Sequence, residues 1–311
     1  MTPQPPKNRD KSADAEGRSA GRPGSGSARA GRWTDLARPP LNEHSLRRGM
    51  LRPGSLWSAL DVVAATGSTN TDLAERAAEG TAAEGAVLVA EEQSAGRGRL
   101  DRHWSAPPRS GLFFSVYLTP RVPMARWGWL PLLTGVATAA ALSREAGVDT
   151  ALKWPNDLLV IVGGAERKAG GILAERAGQG VVIGIGLNVT LSEDELPVPT
   201  AGSLTLAGAR STDRDILLRA VLRSLEHWYR EWQAVDGEPA ASGLLEAYAT
   251  GCATLGRSVR AELPGDTEIV GEAVAIDGDG RLVVATAGGV QRPIAAGDIV
   301  HLRAADAGEA G

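Results

Sequence analysis

Apolar positions along the chain fall into short continuous runs separated by glycine-rich or polar turns, with two longer stretches of helical period. Residues 57–63, Ala86–Ala90, Gly111–Leu118, 150–162, 169–176 and 180–189 read as strands. Most are near-continuous apolar runs, and Gly or Ser/Thr/Asn clusters bound them. Residues 130–146 predict a buried helix, apolar almost all round, with Pro131 in its first turn and Gly147 just past its end. Residues 212–232 predict an amphipathic helix with Leu218, Val221, Leu222, Leu225, Trp228 and Trp232 on one stripe and Thr212 as its cap. A strand, a tight turn and a capped helix start are expected through Gly67, Ser68, Thr69 and Asn70, and residues 38–51 are expected to lie extended on the domain that follows. Beyond residue 250, Val259, Ala261 and Leu263 alternate, residues 277–280 form a Gly/Asp turn, and strands follow at Leu282–Ala285 and from residue 297.

This order predicts an α+β fold. A mixed, largely antiparallel sheet with helices on one face occupies residues 38–250, and a small SH3-like β-barrel occupies residues 251–305. Residues 1–37 and 306–311 are expected to be disordered tails, the first being rich in Gly, Ser, Arg, Ala and Pro without hydrophobic period.

Formal net charge is −4, yet residues 1–50 carry ten Lys/Arg against five Asp/Glu, so only the N-terminal arm is basic. That distribution argues against nucleic acid or an anionic membrane as the main partner, and no pair of short apolar-faced helices suggests a DNA-reading motif there. One cysteine, Cys252, excludes an intrachain disulfide framework and reads as a small core residue in a cytoplasmic protein. The four histidines are scattered without ligand spacing, so no protein metal site is expected, and no signal peptide or membrane span is legible.

The chemistry lies in polar residues set into apolar runs. After Ala86–Ala90 comes Gln93, Ser94, Ala95, Gly96, Arg97, Gly98, Arg99, Leu100, Asp101, Arg102, His103 and Trp104. Its glycines permit close approach and positive φ, its arginines supply forked donors, and Trp104 offers a flat face, which suits a small anion carrying a base. Four other segments add Ser68, Thr69 and Asn70; Lys153, Asn156 and Asp157; Lys168, Gly170 and Gly171; and Asn188 after Gly184 and Gly186. Singly, each has a structural explanation: a helix cap, lysines snorkelling from strand ends, a proline turn. Gly184 and Gly186 lack the third glycine and following helix of a dinucleotide fingerprint. Together, unpaired polar groups in buried strands would each cost about 1–3 kcal/mol unless they converge on a ligand or on one another.

In order and spacing these five motifs resemble those of the biotin protein ligases, from about residue 62 to residue 189, with a looser likeness in the C-terminal module. The resemblance implies an enzyme of the monofunctional type. It would join biotin to ATP as biotinyl-5′-AMP and then pass the biotinyl group to a lysine of a biotin carboxyl carrier protein or domain. It further implies Arg97, Arg99 and Lys168 as catalytic cations. Biotin would meet Ser68, Thr69, Asn70, Gln93, Gly96, Gly98, Gly170 and Gly171 as well as those three. ATP would meet Arg102, Trp104, Lys153, Asn156, Asn188 and Lys168, with Mg²⁺ on the phosphates. Asp157 fits a turn anchor or an indirect metal role equally. The sequence departs from the family at Asp101, where the loop often has glycine, and in showing no DNA-binding domain in its first fifty residues. A monomer or weak dimer is expected. Rival readings are a lipoate- or octanoate-specific relative, which would not need the Ser68, Thr69 and Gln93 set, and a noncatalytic biotin sensor, which would not need Lys153, Asn156 and Lys168.

Overall fold

The computed structural model describes residues 38–100, 102–263, 267–295 and 297–301; the expectations for the two tails and for Asp101 fall outside them. The first strands are β1 (Ala59–Val63), β2 (Ala86–Ala90), the two-residue pair β3 (Gly96–Arg97) and β4 (His103–Trp104), and β5 (Gly111–Leu118). They are followed by β6 (Thr150–Lys153), β7 (Asp157–Val162), β8 (Ala165–Ala177) and β9 (Gly180–Asn188). Seven of them build one sheet in the order β1-β2-β5-β9-β8-β7-β6, parallel between β1 and β2 and antiparallel elsewhere. The mixed, largely antiparallel architecture expected from the sequence is thus observed.

The helices are α1 (Glu43–Met50), α2 (Thr69–Ala78), α3 (Trp129–Glu145), α4 (Arg214–Ala234) and α5 (Leu244–Gly251). They cover both faces of the sheet, not one. Leu73 and Ala77 of α2 pack with Leu88, Tyr117 and Val182, while the alternate strand residues Val87, Val116 and Ile183 join the larger core that holds α3 and α4. Every residue of β2 and β5 is buried for this reason, and a sheet covered on both sides reads as continuous apolar runs.

Other expectations need correction. The run 150–162 is two strands, because Trp154, Pro155 and Asn156 turn the chain between β6 and β7. Residues 43–50 are helical, not extended: Asn42 caps the backbone N–H of Ser45, and Leu46 and Met50 enter the core one turn apart. Asp213, not Thr212, caps α4 by accepting from the N–H groups of Asp215 and Ile216. On that helix Trp232 is fully buried and Trp228 only partly so. Cys252 is a buried free thiol.

The chain before α1 is held by charge. Arg214, 5% exposed, lies 2.6 Å from the Glu91 carboxylate and donates to the carbonyls of Pro39 and Gly111, while Glu91 also accepts from the N–H of Leu41. Arg38 forks onto Glu195 and holds that carboxyl down at about 2.

The C-terminal strands β10 (Ser258–Leu263), β11 (Thr267–Ile276), β12 (Leu282–Ala285), β13 (Gln291–Ile294) and β14 (Asp298–His301) form a second, antiparallel sheet in the order β13-β12-β11-β10-β14. Its 277–280 turn is gripped by the larger part. The indoles of Trp129 and Trp154 donate to the carbonyls of Gly278 and Gly280 at 2.9 and 3.0 Å, and Arg126 donates to Gly278. Trp154 belongs to the β6–β7 turn, so this grip reaches the segment that carries Asn156 and Asp157.

His301 sits at the same junction, 3.1 Å from the Thr254 hydroxyl and 3.2 Å from Arg257, which in turn forks onto Glu166. Burial first, then Lys153 and Arg257, hold its imidazole down to about 4 from 6.5, against an opposing pull from Glu166. The fold therefore favours the neutral ring. Its contribution to stability is complete above pH 6.5 and is lost as pH falls through about 4. We expect His301→Gln to flatten the fall of Tm between those pH values; superimposable Tm–pH curves for the two proteins would contradict the assignment.

Candidate active site

One cavity gathers most of the polar insertions. It is lined by Ser68, Thr69 and Asn70 from the start of α2, by Gln93, by the 97–100 and 102–104 stretch, by Asn156 and Asp157, and by Lys168 and 171–173 of β8. Residues 184–186 of β9 and Gly297, just before the C-terminal strand Asp298–His301, complete it.

Its uncharged wall is a chain of hydrogen bonds. Gln93 Oε1 accepts from the Thr69 backbone N–H at 2.8 Å and lies 3.1 Å from Thr69 Oγ1, which is 2.8 Å from the hydroxyl of Ser115. Ser115 donates to Asn70 Oδ1 at 2.6 Å, and Asn70 Nδ2 donates to the Leu173 carbonyl and to Glu175 Oε2. Gly184 makes room for this chain, since a Cβ there would stand 2.1 Å from Asn70 Oδ1.

The cations face the same space. Arg97 forks onto Glu175, at 2.8 and 3.1 Å, and Lys168 Nζ lies 2.6 Å from Asp157. Arg99 donates to Asn156 Oδ1 at 3.3 Å, and Asn156 is fixed by exchanging two hydrogen bonds with Ile172, side chain to backbone and backbone to backbone. Arg97 and Lys168 remain 45% and 37% exposed, so an incoming carboxylate or phosphate can compete with Glu175 and Asp157 for them.

The arginine loop closes as a small hairpin. Gly96 pairs with Trp104, and the Gly98 N–H donates to the Arg102 carbonyl at 2.6 Å. Positive φ falls on Leu100 (52°), not on the glycines. Gly96 and Gly98 serve close approach, a Cβ on Gly96 standing 2.4 Å from the Trp104 carbonyl. The Trp104 indole rests on Gly171 and Gly186, which pair across β8 and β9, and its Nε1 is buried without a hydrogen-bond partner among the described residues. Lys168 Nζ lies 5.9 Å from the ring centre. A methyl at Gly186 would fall 2.9 Å from the indole, so Gly186→Ala is expected to displace the ring and raise the ligand Kd about tenfold or more. A titration following tryptophan emission checks this, and an unaltered Kd and spectrum would contradict it.

Four expected site residues do not line the cavity. Asn188 is buried and donates to the Gly202 carbonyl, holding the 200–204 segment. Gly170 allows close strand packing, with its would-be Cβ 3.1 Å from the Gly186 carbonyl. Lys153 exerts its charge on Glu166 and His301 at the junction with the second sheet. Gly96 is also absent from the lining and acts through the β3–β4 pairing. Conversely, sequence reasoning passed over Ser115, a lone hydroxyl in an apolar strand, and gave no role to Glu175, although both complete the wall.

Residues 62–188 match the Biotin/lipoate A/B protein ligase family, and residues 254–302 match the Biotin protein ligase C terminal domain. The chain is 44% identical over 273 residues to Biotin--[acetyl-CoA-carboxylase] ligase of Mycobacterium tuberculosis, covering 86% of this chain and 98% of that protein. It is 33% identical to the Bifunctional ligase/repressor BirA of Bacillus spizizenii, over 81% of this chain and 77% of that one. Among solved structures, biotin protein ligase from Aquifex aeolicus in complex with biotin and ATP aligns with a TM-score of 0.66 at 27% identity, covering 80% of this chain and 100% of that chain. With both of its folded parts matched in order and a relative of nearly equal extent at this identity, the chain belongs to the biotin protein ligase family.

Proposed function

We propose that this protein uses ATP to activate biotin and transfers it to a lysine of the biotin carboxyl carrier domain of an acyl-CoA carboxylase. In the first step a biotin carboxylate oxygen attacks the α-phosphorus, the bond to the bridging oxygen breaks, and pyrophosphate leaves. In the second the lysine amine attacks the acyl carbon of biotinyl-5′-AMP, an amide forms, and AMP departs with the bonding pair.

The observation that carries this reading is the meeting of a neutral hydrogen-bonding wall and a cluster of cations in one cavity. Ser68, Thr69, Asn70 and Gln93 suit a ureido ring, which needs both donors and acceptors. Arg97, Arg99 and Lys168 suit the reacting groups, where two anions must approach to bonding distance and charge gathers on the transferring oxygens. Gly171, Ile172, Leu173 and Ile185 add apolar lining to the same cavity, which suits the thioether ring and chain of biotin. Arg102, Trp104 and Asn156 are assigned to the nucleotide. Leaving Asp157 and Glu175 for the substrates' anionic oxygens, Lys168 and Arg97 would exchange one charge partner for another at little cost in desolvation.

Among the described residues no group of three or more His, Cys, Asp or Glu side chains can hold a metal ion. A divalent cation such as Mg²⁺ would therefore be held chiefly by the phosphates it arrives with, neutralising the leaving pyrophosphate. We assign no DNA contact, a cytoplasmic location and a monomer or weak dimer. No described helix is long and apolar enough to cross a membrane.

The test is incorporation of labelled biotin into a carrier domain. Label should appear with ATP and Mg²⁺ and be absent with a carrier whose acceptor lysine is arginine. Labelled lipoate transferred in place of biotin would overturn the substrate assignment.

A further inference from the structure

We propose that Asn70 and Ser115 are positioning residues that fix which atoms of the cavity wall accept hydrogen bonds, and so select a ligand presenting N–H groups. The inference rests on the biotin reading above and refines it.

The direction of each bond follows from chemistry. The Leu173 carbonyl and the Glu175 carboxylate can only accept, so the Asn70 amide must turn its NH₂ toward them, at 3.1 and 3.0 Å. Its Oδ1 then faces Ser115, and the Ser115 proton must point at it across 2.6 Å. The Ser115 oxygen is left as an acceptor, 2.8 Å from Thr69 Oγ1. The single hydroxyl proton of Thr69 has two possible takers, Ser115 and, at 3.1 Å, Gln93 Oε1, which already holds the Thr69 backbone N–H. Ser115 is the nearer, and among the described residues its oxygen has no other donor. Thr69 donates inward, and two lone pairs stay open toward the cavity: one on Thr69 Oγ1 and one on Gln93 Oε1.

Ser115 is fully buried and stands outside the cavity lining, so it acts without touching the ligand, whereas Asn70, 4% exposed, lines the cavity and carries the orientation from Glu175 to Ser115. Without the Ser115 hydroxyl the Thr69 proton turns to Gln93, and one of the two acceptors is lost. The wall that matches a cyclic urea, with two N–H groups, is therefore set from behind. Arg97 extends the same chain, since it forks onto the carboxylate that orients Asn70.

The experiment measures biotin-dependent ATP–pyrophosphate exchange for the wild type, Ser115→Ala and Ser115→Cys, with biotin and with biotin methylated on one or the other ureido nitrogen. For Ser115→Ala we expect the KM for biotin to rise roughly 5- to 100-fold, with kcat and the KM for ATP within about a factor of two. The preference for biotin over at least one methylated form should shrink by a similar factor. Ser115→Cys, with a weak donor and acceptor of similar size, should fall between the two. An unchanged biotin KM in Ser115→Ala, or equal losses for biotin and both methylated forms, would overturn the proposal. If the alanine variant does not fold, the cysteine variant carries the same criterion. A wild-type protein that fails to exchange with biotin at all would instead overturn the biotin reading.

Discussion

Lys168→Ala is expected to slow biotin-dependent pyrophosphate release by about 10²–10³-fold, the usual loss when one fixed donor to a developing oxyanion is removed. Lys168 stands on β8 with its ammonium 2.6 Å from Asp157 and over the face of Trp104, at the junction of the two assigned substrate regions. Two anions cannot be brought into bonding contact without a cation between them, and the remaining arginines approach from the loop side only. The fold should survive, because the side chain is 37% exposed and its loss leaves Asp157 within reach of solvent. Lys168→Arg keeps the charge but not the point geometry, and should retain a small part of the rate. Rapid-quench measurement of pyrophosphate release, with Tm as the control, decides the matter. Near-normal release by the alanine variant would remove Lys168 from the mechanism.

The largest expected effect on stability belongs to Arg214. Its guanidinium and the Glu91 carboxylate are 5% and 9% exposed, and Arg214 also satisfies the carbonyls of Pro39 and Gly111. Arg214→Ala leaves a buried carboxylate that has lost its charge partner while keeping the Leu41 N–H, at a cost of about 3–5 kcal/mol. Equilibrium unfolding in urea should show that loss. Replacing both partners, Glu91→Leu with Arg214→Met, should restore part of it, since the penalty lies in the unpaired charge more than in the missing attraction. A single substitution costing under about 1 kcal/mol would place the pair in the class of exposed ion pairs. Because Glu91 directly follows β2 on the way to Gln93, such variants are also expected to weaken ligand binding.

Much of the fold was legible because a sheet covered on both faces leaves continuous apolar runs. The strands Ala86–Ala90 and Gly111–Leu118 and the long helix Trp129–Glu145 stand out for that reason. The same runs, lacking a wet face, imply cover on both sides, a signal that the expected placing of helices on one face left unused. The β6–β7 turn was legible as a proline turn, but the apolar residues beyond Lys153 and Asp157, among them Leu152 and Leu158, made the run 150–162 read as one strand. The short helices Glu43–Met50 and Leu244–Gly251 bury two residues each, too few to mark a period.

At the site, glycines, arginines and amides in a fixed order identified the segments, but not which side chain of each segment faces the cavity. Asn188 and Lys153 are polar residues in the right segments that stand outside the cavity lining, Asn188 bonded to a buried carbonyl and Lys153 acting at the module junction. Ser115 was invisible for the opposite reason. A single hydroxyl in a strand gains meaning only when its neighbours in space, Thr69 and Asn70, are known.

The most direct test of the central claim, that distant polar segments enclose one anion-activating centre for biotin, is ATP–pyrophosphate exchange by the purified protein with no carrier domain present. Exchange that appears on adding biotin, is not elicited by lipoate, and is lost in Lys168→Ala is the predicted result. Exchange that proceeds equally without biotin, or that lipoate supports as well, would contradict it.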